Sequence, residues 1–197
     1  MRWVSFVSDF GDSAVLLPLA LVLAAALWRY QSSRAAVYFF VATGACLMII
    51  VCLKMAFVAC GAPWNIGIVS PSGHASMSTT VYGALGIVAA RQAPQWQRPI
   101  ILAAIAAFVG CFALSRIALK AHSIPEVTLG VVVGAIAVLI FAHPYLRLRT
   151  GRMNFSLLGS AVILVLLLLH GVHLPVEAVI RHLAFLSRTS LHACLDS

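Results

Sequence analysis

The sequence predicts an all-α integral membrane protein, a bundle of about six transmembrane helices with a C-terminal amphipathic segment. Of its 197 residues, 62% are hydrophobic and only 9% are charged, whereas a soluble domain carries roughly 25% charged residues. So few charged side chains cannot cover a surface exposed to water. In addition, six apolar segments approach the length of about 20 residues that a helix needs to cross a bilayer.

The six segments follow one another with polar connections between them. They lie at residues 13–28, 35–57, 75–90, 100–114, 127–141 and 155–169. Several are short for a spanning helix, so we expect their ends to extend into the flanking residues. Residues 29–34 form a connection short enough to force the first two helices to run antiparallel. Asp9 and Asp12, rather than a basic stretch, precede the first segment, which predicts a retained helix and not a cleaved signal peptide.

Small residues inside the predicted spans allow close approach of neighbouring membrane helices. They include Gly44, Gly83, Gly86, Gly110, Gly130 and Gly134. We predict one transmembrane domain over residues 1–173. Residues 174–197 mix apolar side chains with Glu177, Arg181 and Arg188, a pattern typical of an amphipathic helix at the membrane interface. A frayed tail is the alternative for this last segment.

The net charge of +8 does not indicate a nucleic-acid-binding protein. The basic residues are scattered between apolar segments and form no basic stripe. Lys and Arg are enriched in the cytoplasmic loops of membrane proteins, which explains the excess more simply. We therefore expect membrane lipids, and not nucleic acid, as the surroundings of this chain.

The basic residues also predict an orientation. One side of a six-span bundle would carry Arg29, Arg34, Arg91, Arg98, Arg147, Arg149 and Arg152, and the other Arg2, Lys54, Arg116, Lys120, Arg181 and Arg188. Lys54, Arg116 and Lys120 lie in or near the motifs described next, and setting them aside leaves seven residues against three. The positive-inside rule then places the first set in the cytoplasm. We expect a bacterial inner-membrane protein whose termini and motifs face outward, into the periplasm.

The first motif is the tetrapeptide Pro71-Ser72-Gly73-His74, which stands before an apolar segment. Ser72 is a favourable N-cap residue, so a helix is predicted to begin here. The first backbone N–H groups of a helix have no partner within it and can bind an anion. Gly73 would let the anion approach the backbone, and His74 could exchange a proton with it near neutral pH. A capped helix with an interfacial histidine is the alternative.

The second motif runs from Ser115-Arg116 through His122 to Glu126. Ser123 and Glu126 match a capping box, so Glu126 could simply cap the fifth helix. If the local geometry is helical, His122 and Glu126 also share one face, and the carboxylate can orient the imidazole. Arg116 supplies a planar fork of donors suited to phosphate. Capping and orientation are compatible roles.

The tetrapeptide at residues 71–74 resembles the second signature motif of the type 2 phosphatidic acid phosphatase (PAP2) superfamily of membrane lipid phosphatases. The segment from Ser115 to Glu126 resembles the third. That family reads P-S-G-H and then S-R-x5-H-x3-D, after a first motif K-x6-R-P. Lys54 stands where the family's lysine motif begins, but Gly61 stands where that motif has arginine. Glu126 replaces the usual aspartate. The resemblance covers residues 54–126 by motif and the six-helix plan by layout.

The resemblance implies a role for each matched residue. His122 would attack phosphorus and form a phosphohistidine, Glu126 would orient and polarise it, and His74 would protonate the leaving group and then activate water. The phosphoryl oxygens would be held by Lys54, Ser72, Gly73 and Arg116. No metal and no other cofactor is implied, and no Cys/His spacing in the sequence suits zinc.

Three functions remain open at this stage. The first is hydrolysis of a lipid monophosphate or pyrophosphate, and the second is transfer of the phosphoryl group to another lipid. The third is a degenerate family member that binds anionic headgroups or is only structural. The missing arginine at Gly61 favours the third, whereas His74, Arg116, His122 and the carboxylate favour the first. The sequence names neither the lipid nor the oligomeric state.

Overall fold

The computed structural model of the chain describes residues 2–60, 70–172, 174 and 179–180. Within these ranges the chain is helical and contains no strand, which confirms the all-α fold. The helices are α1 (Arg2–Asp9), α2 (Ser13–Ala26), α3 (Ser33–Cys60), α4 (Gly73–Gln92), α5 (Arg98–Ala118), α6 (Ile124–Arg147) and α7 (Phe155–Leu169). Gly61 and most of the predicted amphipathic tail lie outside the described residues.

The six predicted spans correspond to α2 through α7. In the described part of the chain, four helical stretches are long and apolar enough to cross a membrane, and they are Ser13–Gln31, Ser33–Phe57, Gln95–Ala118 and Ile124–Arg147. The apolar helix α7 is shorter, with 15 residues. Helix α4 has 20 residues but carries several serines and threonines. It packs against α2, α3, α5 and α6, so little of it needs to face lipid.

Some helix boundaries differ from the prediction. Helix α2 continues into a π-helical turn, Leu27–Gln31, and only Ser32 separates this turn from α3. The expected connection at residues 29–34 is therefore largely helical. Helix α1 was not predicted, because eight residues are too few to match the template for a spanning segment.

Close packing of α6 on α4 positions the two motifs. A Cβ atom at Gly130 would lie 2.4 Å from the carbonyl oxygen of Ser72, and one at Gly134 would lie 2.4 Å from that of Ser76. Only glycine permits this approach, which holds the start of α4 against the first turns of α6. Gly83 and Gly86 also face neighbouring side chains at short range, whereas Gly44 and Gly110 face open space, contrary to the packing role predicted for them.

Candidate active site

The tetrapeptide motif begins α4, as predicted. The Ser72 hydroxyl accepts a hydrogen bond from the Ala75 N–H at 3.3 Å, and Ser72 is fully buried. The Ser72 N–H donates to the carbonyl oxygen of Glu126 at 3.1 Å, which ties this turn to α6. A Cβ at Gly73 would meet Lys54 Cε at an ordinary 3.5 Å. The protein itself therefore leaves room for a side chain at Gly73, and only a ligand approaching the backbone would require glycine.

Lys54 lies beneath this turn. It is 1% exposed, near the end of α3, and its Nζ donates to Ser70 Oγ at 3.2 Å. Burying an ammonium group is costly unless it is paired or serves a site. The structure thus brings Lys54, which stands where the family's lysine motif begins, next to the tetrapeptide motif.

The Glu126 carboxylate joins three parts of the site. Its Oε1 accepts from the Ser70 N–H at 2.7 Å, and its Oε2 accepts from the Ser123 N–H at 2.9 Å. The same Oε2 lies 3.1 Å from His122 Nδ1. Helix capping and contact with the imidazole therefore occur together. A carboxylate in this position fixes the ring and favours the tautomer with its proton on Nδ1.

The environment of His122 favours its neutral form. Burial lowers the pKa of His122, and the positive charges of Lys54 and Arg116 act in the same direction, while the hydrogen bond and charge of Glu126 oppose them. Its pKa therefore lies below the usual value of about 6.5. At pH 7 the ring is mostly unprotonated, so Nε2 carries a free lone pair while Nδ1 faces the carboxylate.

Arg116 lies at the last turn of α5 and contributes its charge beside His122. Its carbonyl oxygen accepts from the N–H groups of Ala121 at 3.1 Å and His122 at 3.4 Å, which shapes the turn that presents the histidine. Its Nη1 donates to Ser8 Oγ, 2.9 Å away on α1. The N-terminal helix therefore contacts the site, which the sequence did not predict.

His74 has a carboxylate partner that was also not predicted. Asp12 Oδ2 lies 3.6 Å from His74 Nε2, at the junction of α1 and α2. From the sequence, Asp12 served only as an argument against a signal peptide. Two signals could have identified it: the chain has only five acidic residues, and Asp12 borders a span at the end of the bundle predicted to hold both motifs.

All seven residues named from the sequence lie at one end of the bundle: on α3, at the start of α4, at the end of α5, in the turn between α5 and α6, and at the start of α6. Among the residues that the structure describes, no group of three His, Cys, Asp or Glu side chains could hold a metal ion. The site instead combines two histidines, each facing a carboxylate, with a buried lysine, an arginine and a helix N-terminus. This combination can bind a phosphoryl group and transfer it.

The fold is that of a helical membrane protein, and its candidate site contains two histidines, two carboxylates, a lysine and an arginine. The profile of the PAP2 superfamily matches residues 55–150, a range that holds every candidate site residue except Lys54. One similar protein is an uncharacterized 22.5 kDa protein in the cps region of Klebsiella pneumoniae. It is 30% identical over an alignment of 219 residues, which covers 98% of this chain and 98% of that protein. No solved structure matches the chain. The chain belongs to the PAP2 superfamily, and this membership indicates phosphatase-type activity.

Proposed function

We propose that the protein is a membrane lipid phosphatase that hydrolyses a lipid monophosphate or pyrophosphate through a phosphohistidine at His122. The observation that carries the proposal is the contact of His122 Nδ1 with Glu126 Oε2 at 3.1 Å. It leaves Nε2 as the nucleophilic nitrogen, in a ring whose lowered pKa favours the neutral form. The cations Lys54 and Arg116 supply the positive charge that a transferring phosphoryl group requires.

In the first step, the lone pair of His122 Nε2 forms a bond to phosphorus. The bond between phosphorus and the leaving oxygen breaks, and His74 donates a proton to that oxygen. Glu126 stabilises the positive charge that develops on the His122 ring. The N–H groups at the start of α4, Lys54 and Arg116 are placed to bind the three phosphoryl oxygens.

In the second step, His74 has lost its proton and accepts one from a water molecule. The water oxygen attacks phosphorus, the phosphorus–nitrogen bond breaks, and inorganic phosphate leaves. His122 returns to its neutral form and His74 to its protonated form. The two histidines therefore need opposite protonation states when the substrate arrives.

The lining of the cavity beside His74 supports an amphiphilic substrate. Lys54, Gly73 and His74 form its polar part. Its apolar part includes Leu47, Ile50, Val51 and Met77. A phosphate headgroup matches the first set and a hydrocarbon chain matches the second, so a lipid phosphate fits this lining better than a water-soluble phosphate ester.

Release of inorganic phosphate from the purified protein tests the proposal. We would assay phosphatidate, phosphatidylglycerol phosphate, a polyprenyl pyrophosphate and lipid A in detergent micelles. The proposal expects phosphate release from at least one of them. Phosphoryl transfer to an added lipid acceptor without phosphate release would identify a transferase. Headgroup binding without turnover of any substrate would identify a degenerate member of the family.

Vanadate is expected to inhibit the enzyme, whereas EDTA is not. Vanadate adopts the trigonal-bipyramidal geometry of a phosphoryl group in transfer, and Lys54, Arg116 and the N-terminus of α4 would bind it. EDTA leaves these cationic groups untouched. The measurement is phosphate release at a fixed substrate concentration with each reagent. Strong inhibition by EDTA that Mg²⁺ reverses would contradict the proposed mechanism.

We propose that the site faces outward from a bacterial inner membrane. Apart from the residues in or near the motifs, the sequence places seven arginines on one side of the predicted bundle and three on the other. Of the seven, Arg91 has a structural role. Its guanidinium donates to the carbonyl oxygens of Tyr145 and Leu148 and lies 4.7 Å from the centre of the Tyr145 ring. Setting Arg91 aside leaves six against three, and the positive-inside rule still assigns that side to the cytoplasm.

Cysteine labelling tests this orientation. Ala118 is exposed at the end of α5 near the site, and Arg149 is exposed beyond α6 at the opposite end. In a background with the five native cysteines replaced by serine, Ala118→Cys should react with a membrane-impermeant maleimide on spheroplasts. Arg149→Cys should react only after the membrane is permeabilised. The reverse pattern would place the chemistry in the cytoplasm.

A further inference from the structure

Asp12 is held rigidly at the edge of the site. It is 7% exposed and is the N-cap residue of α2, where its Oδ1 accepts from the Ala14 N–H at 2.9 Å. The Leu174 N–H, from the far end of the chain, lies 3.5 Å from the same oxygen. Because Oδ1 is occupied by the cap, the direction of Oδ2 is fixed, and it faces His74.

The pair formed by Asp12 and His74 parallels the pair formed by Glu126 and His122. Asp12 Oδ2 lies 3.6 Å from His74 Nε2, and Glu126 Oε2 lies 3.1 Å from His122 Nδ1. Asp12 approaches from α2, whereas Glu126 approaches from α6. The pairs differ in exposure, since the His122 side chain is 8% exposed and that of His74 is 23% exposed.

Two other positive charges lie at this end of the bundle. Lys54 on α3 lines the same cavity as His74, and Arg116 on α5 adds a second positive charge. Of the carboxylates there, Glu126 is engaged with His122, and Asp9 ends α1 three residues before Asp12. Asp12 is the carboxylate that faces His74, so it can offset the positive charge and orient the ring.

We propose that Asp12 is a positioning residue for His74, holding the imidazole, through the ion pair with Nε2, in the orientation that proton donation to the leaving oxygen requires. The inference rests on the proposed function, because it assigns His74 the role of general acid. Burial and two cations favour the neutral form of His122, while the carboxylate of Asp12, fixed by the helix cap, faces Nε2 of the more exposed His74.

The variant Asp12→Asn isolates the charge from the helix cap. Asparagine caps a helix about as well as aspartate, so the bond to the Ala14 N–H can persist while the negative charge is lost. Asp12→Ala loses both the cap and the charge. Asp9→Asn removes the carboxylate that ends α1, three residues before Asp12, and it serves as the matched control.

Two measurements test Asp12→Asn: the titration of His74 and the pH profile of kcat. Histidine ring resonances of the isotope-labelled protein in nanodiscs report the titration of His74, assigned with His74→Asn. We expect the midpoint to move to lower pH in Asp12→Asn and to stay at its wild-type position in Asp9→Asn. With less protonated His74 available, the basic limb of the kcat profile moves to lower pH as well. At pH 8 we expect kcat to fall about tenfold, with KM changing less than twofold.

Each outcome decides the proposal. A lower titration midpoint together with a shifted kcat profile supports it. An unchanged titration midpoint overturns it, and so does a shifted midpoint with an unchanged kcat profile in an active enzyme. If the wild-type protein hydrolyses no lipid phosphate, the proposed function is contradicted instead, and the general-acid role of His74 is overturned with it even where the titration shows the ion pair.

Discussion

His122→Ala is expected to lower kcat by a factor on the order of 10³ or more while the protein remains folded, because it removes the nucleophile and with it a whole covalent step. The side chain is 8% exposed and contacts Glu126, so a modest loss of stability accompanies the substitution. Phosphate release and the melting temperature should be measured on the same preparation. The melting temperature then shows whether lost activity reflects lost chemistry or an unfolded protein.

His143→Ala is the matched control for this variant. His143 lies in the last turns of α6, at the end opposite the site, and is exposed. It should retain wild-type turnover. A second control follows the intermediate itself: a ³²P-labelled substrate should leave acid-labile, alkali-stable label on His74→Ala, in which hydrolysis of the phosphohistidine is slow, and none on His122→Ala. Near-normal turnover in His122→Ala would refute the proposed mechanism.

The helical layout could be predicted from the sequence because long apolar runs have few alternatives in a membrane. Both motifs were found because each combines ionisable residues with a helix boundary. Helix α4 shows the limit of hydropathy, since its twelve buried residues include serines and threonines that other helices cover. A central helix in a bundle needs little apolar surface and therefore gives a weak signal.

The contribution of the N-terminal segment could not be predicted. Ser8 and Asp12 reach Arg116 and His74 across more than sixty positions of sequence, and neither belongs to a periodic or motif pattern. Such contacts depend on where α1 packs, and no local sequence pattern predicts that packing. The double function of Glu126 was anticipated as compatible roles, but its bond to the Ser70 N–H was not.

That bond changes the result expected for Glu126→Gln. From the sequence, glutamine would keep the capping bond and lose only the charge. In the structure the two carboxylate oxygens accept from two different backbone N–H groups, those of Ser70 and Ser123. A glutamine side chain has one accepting oxygen, so its NH₂ group must face one of these donors. We expect a loss of about 1–3 kcal/mol of stability from the unsatisfied buried donor.

Turnover should fall much further than stability in Glu126→Gln. Glutamine cannot stabilise the positive charge that develops on His122 during attack, and its NH₂ group can disfavour the required tautomer, so we expect kcat to fall on the order of 10²–10⁴-fold. Ser123→Ala provides the control for stability, because it weakens the same cap by about 1 kcal/mol while leaving the carboxylate in place. It should retain most of its activity.

Glu126→Asp separates charge from reach. It carries the residue that the family motif has at this position, keeps the negative charge and shortens the arm by one methylene. The shorter side chain cannot keep its contacts with Ser70, Ser123 and His122 at once without movement of the start of α6, which Gly130 holds against Ser72. We expect activity between that of the wild type and Glu126→Gln. Wild-type kcat in Glu126→Gln, with only its melting temperature lowered, would reduce Glu126 to a helix cap and remove the orienting carboxylate from the mechanism.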